Sequence, residues 1–245
     1  MVYVLTYLRA ILGSAVLIPF TAIYSIICVG FALLGCQNIC SAMIYQWASL
    51  VLWTYGIRSE IKGEEHLPET GGGIIVFNHQ SLFDIPVLMT ATRKHTIRFG
   101  AKIELFRIPF FGHAMRAVGT LPIARENRAA VMQVYKEAED RCKSGTLFCL
   151  APEGTRQEEP RIGRFKKGPF IFAMNAGVPL IPAVIKGAHD VLPKRSLKIN
   201  VGQWSRTIKL EFLPPVPTQG IPPEDLDKLI DRVRTMMVEA YKTGE

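Results

Sequence analysis

The chain has 245 residues, enough for one domain of ordinary size with an appendage, and we expect no second globular domain. Apolar residues make up 49% of it and the mean hydropathy is +0.19, which is high for a water-soluble protein. The formal net charge of +8 shows that the chain is basic, which suits an anionic partner. Nucleic acid and anionic lipid are both compatible with this charge.

The first quarter of the chain is uncharged over a long stretch. Residues 10–57 contain no Asp, Glu, Lys, Arg or His, and about 20 apolar residues suffice to cross the hydrocarbon of a bilayer. Helices are predicted at 4–34 and 40–55, and Pro19 is expected to kink the first. Lipid therefore becomes the favoured partner, and no nucleic acid is expected.

Two membrane geometries fit residues 1–57. The helices either cross the bilayer twice or lie in one leaflet. In both, the two ends face one side, and Arg9, Arg58 and Lys62 favour the cytoplasmic face of the cell's inner membrane. A cleaved signal peptide over 1–30 is less favoured, because the apolar run continues far beyond it. A buried hairpin in a soluble protein is the other alternative.

The five cysteines occupy positions 28, 36, 40, 142 and 149. Their number is odd and their spacing is not typical of a metal site. We therefore expect reduced thiols in a cytosolic setting, and neither a metal nor another cofactor.

Residues 57–241 alternate short β-rich runs with helical stretches, which is typical of an α/β fold. Strands are predicted at 57–62, 73–77, 96–101, 119–123, 146–151 and 179–185, and helices at 82–94, 128–143, 169–176 and 225–241. A hairpin is predicted from 197–202 and 206–213. We predict a mixed, mostly parallel central sheet flanked by helices and preceded by an N-terminal apolar two-helix membrane segment.

The segment NHQSLFD at 78–84 follows a wholly apolar strand, where open α/β sheets collect functional groups. Positions five apart lie about 140° from each other on a helix, so His79 and Asp84 can meet only if His79 is in the loop. An imidazole there would take a proton from an alcohol while the carboxylate fixes its tautomer. No protein nucleophile is needed if the acceptor hydroxyl itself attacks.

A structural interpretation of the same segment is that Ser81 and Asp84 form a helix cap and His79 is an ordinary loop histidine. A hydrolase with Ser81 as nucleophile is disfavoured because the G-x-S-x-G pattern is absent. A lysophospholipase stays a third alternative, distinguished by release of free fatty acid without an acyl donor.

The segment PEGTR at 152–156 follows the strand predicted at 146–151, so its loop is expected to converge with the histidine loop. Arg156 has a planar guanidinium suited to phosphate, and Gly154 allows close approach of the backbone to a ligand. Alone, the segment is equally compatible with a surface turn.

Further basic groups follow other predicted strands: Lys102, the segment GTLPIAR at 119–125, and FKKG at 165–168. A single lysine or arginine is usually only solvated. Several clusters in register with successive strands indicate an anionic ligand.

NHQSLFD, GTLPIAR, PEGTR and VPLIPAVIKG at 178–187 resemble, in this order, four motifs of the glycerolipid acyltransferase family, and the chain is most similar to bacterial 1-acylglycerol-3-phosphate acyltransferases. The resemblance covers roughly residues 60–215. Ala151 departs from the family pattern, which more often has phenylalanine before PEGTR.

The resemblance implies that residues 58–245 form a catalytic domain. It would transfer a fatty acyl group from acyl-ACP or acyl-CoA to the 2-hydroxyl of 1-acyl-sn-glycerol 3-phosphate, giving phosphatidic acid without an acyl-enzyme. It implies His79 as base and Asp84 as its orienting partner. The implied acceptor-binding positions are Lys102, Arg125, Glu153, Gly154, Thr155 and Arg156.

Two other functions stay open. One is acylation of a different lyso-lipid, such as a lyso-aminolipid or lysocardiolipin, by the same chemistry. The other is non-catalytic binding of anionic lipid.

If acyl transfer is correct, negative charge develops on the carbonyl oxygen of the thioester. The backbone N–H groups of residues 81–83 are the expected hydrogen-bond donors to this oxygen.

Overall fold

The computed structural model describes residues 1–243, which contain one seven-stranded sheet. The strands are β1 (Ile57–Lys62), β2 (Gly73–Phe77), β3 (Ile97–Lys102), β4 (Leu121–Ile123), β5 (Leu147–Leu150), β6 (Leu180–Lys186) and β7 (Arg206–Phe212). They lie in the order β1-β7-β6-β2-β5-β3-β4, and β6–β7 is the antiparallel pair. The predicted mixed, mostly parallel sheet is confirmed.

Helices cover both faces of this sheet. They are α1 (Val2–Leu33), α2 (Gln37–Thr54), α3 (Asp84–Ala91), α4 (Phe111–Ala117), α5 (Arg128–Lys143), α6 (Gly168–Ala176), α7 (Ala188–Val191) and α8 (Leu226–Lys242). Side chains of α1, α2, α3 and α7 enter the core on one face, and those of α5, α6 and α8 enter the core on the other.

Strand β2 lies at the centre of the sheet and is buried along its whole length. Alternate side chains of a strand point to opposite faces, so Ile75 and Phe77 enter one core and Ile74 and Val76 the other. Burial on both faces explains the unbroken apolar sequence, and each such side chain stabilises the fold by roughly 1.5–3 kcal/mol.

Most local predictions agree with the structure. Helix α5 has the predicted bounds, and the Asn127 side chain caps it by accepting the Ala130 N–H at 3.0 Å. Gly177 ends α6 in the left-handed conformation, with φ of 64°. Helix α3 is shorter than the predicted 82–94, because it begins only at Asp84 and already ends at Ala91.

The predicted hairpin was wrong. Residues 197–202 form no strand, with turns at 199–202, and β7 instead pairs with β1 in parallel and with β6 antiparallel. Two positive φ angles, 45° at Asn200 and 88° at Gly202, interrupt any extended strand there. The buried Asn200 amide also donates to the Tyr55 carbonyl at 2.7 Å, which holds this loop beside the start of β1.

Helix α1 is held against the rest of the protein near both of its ends. Thr6 accepts the Gly202 N–H at 2.9 Å, and Arg9 donates to the Trp204 carbonyl at 2.6 Å. Toward the other end, Cys28 packs with Val118, which directly follows α4. These contact points are separated by about 33 Å of helix, so α1 lies alongside the domain rather than projecting from it.

The outward surface of α1 is apolar over its whole length. In length and composition α1 is sufficient to cross a membrane, and only 17% of its most apolar window is buried. Helix α2 packs between α1 and α3. The long apolar N-terminal helix is thus confirmed, α1 continues through Pro19, and the membrane role of the helix pair stays a prediction.

Candidate active site

The loop after β2 brings His79 into contact with Asp84 at the start of α3. His79 Nδ1 lies 2.8 Å from Asp84 Oδ2, and the same oxygen accepts the backbone N–H groups of Gln80 and Ser81 at 2.8 and 2.9 Å. Because a carboxylate only accepts hydrogen bonds, Nδ1–H donates and Nε2 carries the free lone pair. Asp84 is fully buried, whereas 13% of the His79 side chain is exposed.

Two residues beside His79 hold this loop in place. The buried Asn78 side chain donates to the Ile185 carbonyl at 2.8 Å and accepts the Ile185 N–H at 2.7 Å, which ties the loop to β6. Gln80 donates to the Tyr241 hydroxyl of α8 at 2.9 Å. Our sequence analysis missed both positioning roles, and their only signal was their place next to the histidine.

The Asp84 carboxylate takes part in both interpretations of the segment 78–84, the helix cap and the catalytic pair. The Ser81 N–H bond to Asp84 is one half of a capping box. The Ser81 hydroxyl is buried, donates to the Leu192 carbonyl at 3.0 Å and accepts the Phe83 N–H at 3.3 Å. Capping therefore explains why serine occupies position 81, and it gives no support to Ser81 as a nucleophile. It does not explain the contact between His79 and Asp84.

Glu153 joins the second motif to the first. It follows β5, the parallel neighbour of β2, and its two carboxylate oxygens accept the His79 backbone N–H at 3.2 Å and the Gly163 N–H at 2.9 Å. The Gln157 N–H in turn donates to the His79 carbonyl at 2.8 Å. The Glu153 side chain thus holds the backbone of His79 in place. The predicted contact of Glu153 with the acceptor stays a prediction.

Burial raises the pKa of the Glu153 carboxyl above its ordinary value of 4.5, although the N–H groups of Gly163 and His79 act in the opposite direction. The folded state therefore binds this proton more readily than the unfolded chain. Ionisation of Glu153 then costs stability as the pH rises from about 4.5 through the higher folded-state pKa.

We expect the melting temperature of the parent chain to fall, relative to that of Glu153→Gln, as the pH rises through this window. The difference should level off at higher pH, because glutamine does not titrate. Thermal unfolding between pH 4 and pH 8, followed by circular dichroism, measures this. A pH-independent difference between the two proteins would contradict the raised pKa.

The turn that contains Gly154 requires glycine. Its φ is 73°, and a Cβ added there would lie 2.9 Å from Lys166 Cε. The Lys166 side chain from the FKKG segment thus packs over the PEGTR turn, and the neighbouring Thr155 is exposed. Lys167, by contrast, forms an exposed ion pair with Asp227 of α8 at 2.7 Å.

Three predicted basic residues stand in a group with one acid. Arg125 follows β4, and burial lowers its pKa; Glu104 raises that pKa and the charge of Arg156 lowers it. Arg125 remains charged at neutral pH, since guanidinium groups do not deprotonate in proteins. Lys102, at the end of β3, lies 3.5 Å from Glu104. The group carries excess positive charge suited to an anionic headgroup.

The predicted oxyanion donors need correction. The Ser81 N–H donates to Asp84 and the Phe83 N–H donates to the Ser81 hydroxyl. Of residues 81–83, Leu82 has the backbone N–H without a hydrogen-bond partner in the described part of the chain. The expectation for Ser81 and Phe83 was wrong, because these donors stabilise the loop itself.

A separate surface depression of about 570 Å³ lies beside the start of β7. His189, Asp190 and Arg206 are among its lining residues. None of the predicted site residues lines it, so it is distinct from the His79 region.

The family model described as Acyltransferase matches residues 58–186, and the chain belongs to this family. It is 32% identical over 193 residues to 1-acyl-sn-glycerol-3-phosphate acyltransferase alpha of sheep (Ovis aries), covering 78% of this chain and 66% of that protein. It is also 33% identical over 151 residues to a chloroplastic 1-acyl-sn-glycerol-3-phosphate acyltransferase of Brassica napus, covering 61% of this chain and 43% of that one.

The fold is also similar to a solved structure. The crystal structure of the 1-acyl-sn-glycerophosphate acyltransferase PlsC from Thermotoga maritima superposes with a TM-score of 0.79 at 22% identity, covering 99% of both chains. This likeness supports the fold, and the match to the family model confirms the family resemblance drawn from the four motifs. The chain spans 66% of the length of the sheep relative.

Proposed function

We propose that the chain transfers a fatty acyl group from acyl-ACP or acyl-CoA to the 2-hydroxyl of 1-acyl-sn-glycerol 3-phosphate, giving phosphatidic acid. The observation that carries this is the 2.8 Å contact between His79 and the buried Asp84, beside a loop bearing Arg156. Family membership and the names of the relatives support the same reaction.

In the proposed mechanism, Nε2 of His79 takes the proton of the 2-hydroxyl as its oxygen attacks the thioester carbon. Asp84 stabilises the imidazolium that forms. The new carbon–oxygen ester bond replaces the carbon–sulfur bond, and the departing thiolate accepts the proton from His79. No acyl-enzyme forms, because the acceptor oxygen is itself the nucleophile. The Leu82 N–H is the proposed donor to the developing oxyanion.

We expect the purified protein to acylate lysophosphatidic acid with either thioester and to discriminate against an acceptor without phosphate. Arg125→Ala should raise the KM for lysophosphatidic acid by about 10- to 100-fold, the value of a charge-assisted hydrogen bond. Arg128→Ala is the matched control, because Arg128 is exposed at the start of α5. Activity confined to a phosphate-free acceptor would contradict this choice of substrate.

Residues 1–57 are proposed as a membrane-associated hairpin, and 58–245 as the catalytic domain on the cytoplasmic face of the inner membrane. The contacts near both ends of α1, at Arg9 and at Cys28, favour the geometry in which the helix pair lies in one leaflet. A spanning α1 would carry one of these contact regions of the domain across the bilayer.

Native Cys36, in the turn between α1 and α2, tests this geometry. It is partly exposed, whereas Cys28, Cys40, Cys142 and Cys149 are buried. For a one-leaflet hairpin, a membrane-impermeant maleimide should label Cys36 in inside-out vesicles and not in intact cells expressing the chain. Cys36→Ser should remove the signal, and labelling in intact cells would establish a spanning hairpin.

A further inference from the structure

An apolar surface lies directly after Lys102, apart from the N-terminal helices. Residues 103–110 read IELFRIPF, and the side chains of Ile103, Leu105, Ile108 and Phe110 are between 37% and 51% exposed. Four large apolar side chains within eight residues form a contiguous exposed stretch, which in a soluble domain marks an interaction site.

The segment is anchored rather than loose. Phe106 is buried, and its carbonyl accepts from Arg116 of α4 at 3.0 Å. Gly112 packs so closely against the Phe106 backbone that an added Cβ would lie 2.3 Å from its carbonyl oxygen. The four apolar side chains are therefore held outward by a fixed backbone.

Phe110 has an unusual backbone conformation, with φ of 60° and ψ of −55°. It is the central residue of a tight turn in which the Phe111 N–H donates to the Pro109 carbonyl at 2.6 Å. Residues other than glycine rarely adopt positive φ, and such positions cluster at functional sites. Here the turn presents an aromatic side chain to the surroundings.

This segment is joined to the apolar helix α1 through α4. Helix α4 begins at Phe111, directly after the segment, and packs along α1. Ile23, Ile26 and Ile27 of α1 are exposed. If α1 lies in a leaflet, its neighbour α4 places residues 103–110 at the surface of the same leaflet.

The charges around the segment select the kind of membrane. Lys102, Arg107 and Arg116 are exposed, and the single acid of residues 102–117, Glu104, already pairs with Lys102. Apolar side chains interleaved with lysine and arginine suit the boundary between acyl chains and anionic headgroups. A protein partner of the same charge preference would not explain why the adjoining helix α4 packs along the apolar helix α1.

We propose that residues 103–110 are a second membrane-contact surface, which inserts Ile103, Leu105, Ile108 and Phe110 into an anionic leaflet beside the candidate site. Lys102 then lies at headgroup level near Arg125. Resting on the proposed function, this surface would let a lysophospholipid present its phosphate to these cations while its acyl chain stays in the bilayer.

Tryptophan fluorescence tests the insertion without any assay of activity. The full chain carrying Phe110→Trp is reconstituted in vesicles of phosphatidylcholine and phosphatidylglycerol with brominated acyl chains, and the signal of the three native tryptophans is subtracted. Thr235→Trp, exposed on α8 at the opposite face of the sheet, is the control. We expect bromine to quench the added signal at 110 at least about twofold more than that at 235. Equal quenching would overturn the proposal.

A second measurement tests whether residues 103–110 help a lysophospholipid acceptor in the bilayer to reach the candidate site. The double variant Ile108→Ser, Phe110→Ser should lose about tenfold of its activity on vesicle-embedded lysophosphatidic acid and keep its activity on a short-chain, water-soluble acceptor. An equal change on both acceptors would overturn the supply role. A parent chain without any acyltransfer would instead refute the proposed function, and the fluorescence result would still decide the insertion.

Discussion

Replacing His79 with alanine is expected to lower acyl transfer by about 10²-fold or more, because Nε2 of His79 is the proposed acceptor of the substrate proton. The fold should persist, since the ring is partly exposed and lies in an edge-to-face contact with Phe77, with ring centroids 5.9 Å apart. Initial rates on lysophosphatidic acid, together with vesicle binding, measure the two properties separately.

His113→Ala is the matched control for this substitution, because His113 is exposed on α4. It should leave turnover unchanged. A non-catalytic lipid-binding protein would show the same vesicle binding for parent and variant and no turnover in either. Full activity in the His79 variant would remove the imidazole from the mechanism.

Asp84→Asn is expected to reduce kcat by about 10²- to 10⁴-fold, because an amide can turn its NH₂ toward Nδ1 and select the wrong imidazole tautomer. It should also lower the free energy of unfolding by about 1–3 kcal/mol, since the Gln80 and Ser81 N–H groups lose a charged acceptor. Steady-state kinetics and chemical denaturation measure these effects.

Asp231→Asn provides the control, since Asp231 is exposed on α8. It should change neither kcat nor stability. A loss of stability in Asp84→Asn with unchanged kcat would reduce Asp84 to a helix cap and would contradict its orienting role.

Several features of the fold follow from local sequence alone. The period of apolar residues predicted α5 and α8, and the run GIIVF predicted a buried strand, because period and burial are set by immediate neighbours. The uncharged residues 10–57 predicted two long apolar helices for the same reason. The hairpin at 197–213 failed because its outcome depends on Asn200 and on contacts with α1.

The candidate site likewise has features that the sequence predicted and others that only the structure revealed. The motif spacing allowed His79 and Asp84 to meet, because a loop followed by a helix start supplies the required bend. Sequence alone could not reveal that Glu153 accepts the His79 N–H, nor that Asn78 exchanges two bonds with Ile185. Each of these bonds joins residues 74 or more positions apart.

The amino-acid sequence by itself therefore determined the family and the alternation of strands and helices, and it supplied the candidate residues for the chemistry. The tertiary structure decided the order of the strands, the support beneath His79, the position of α1 along the domain and the exposure of residues 103–110. The physical reason is that local propensities act within a few residues, whereas these features depend on which distant segments pack together when the apolar faces of the sheet are buried.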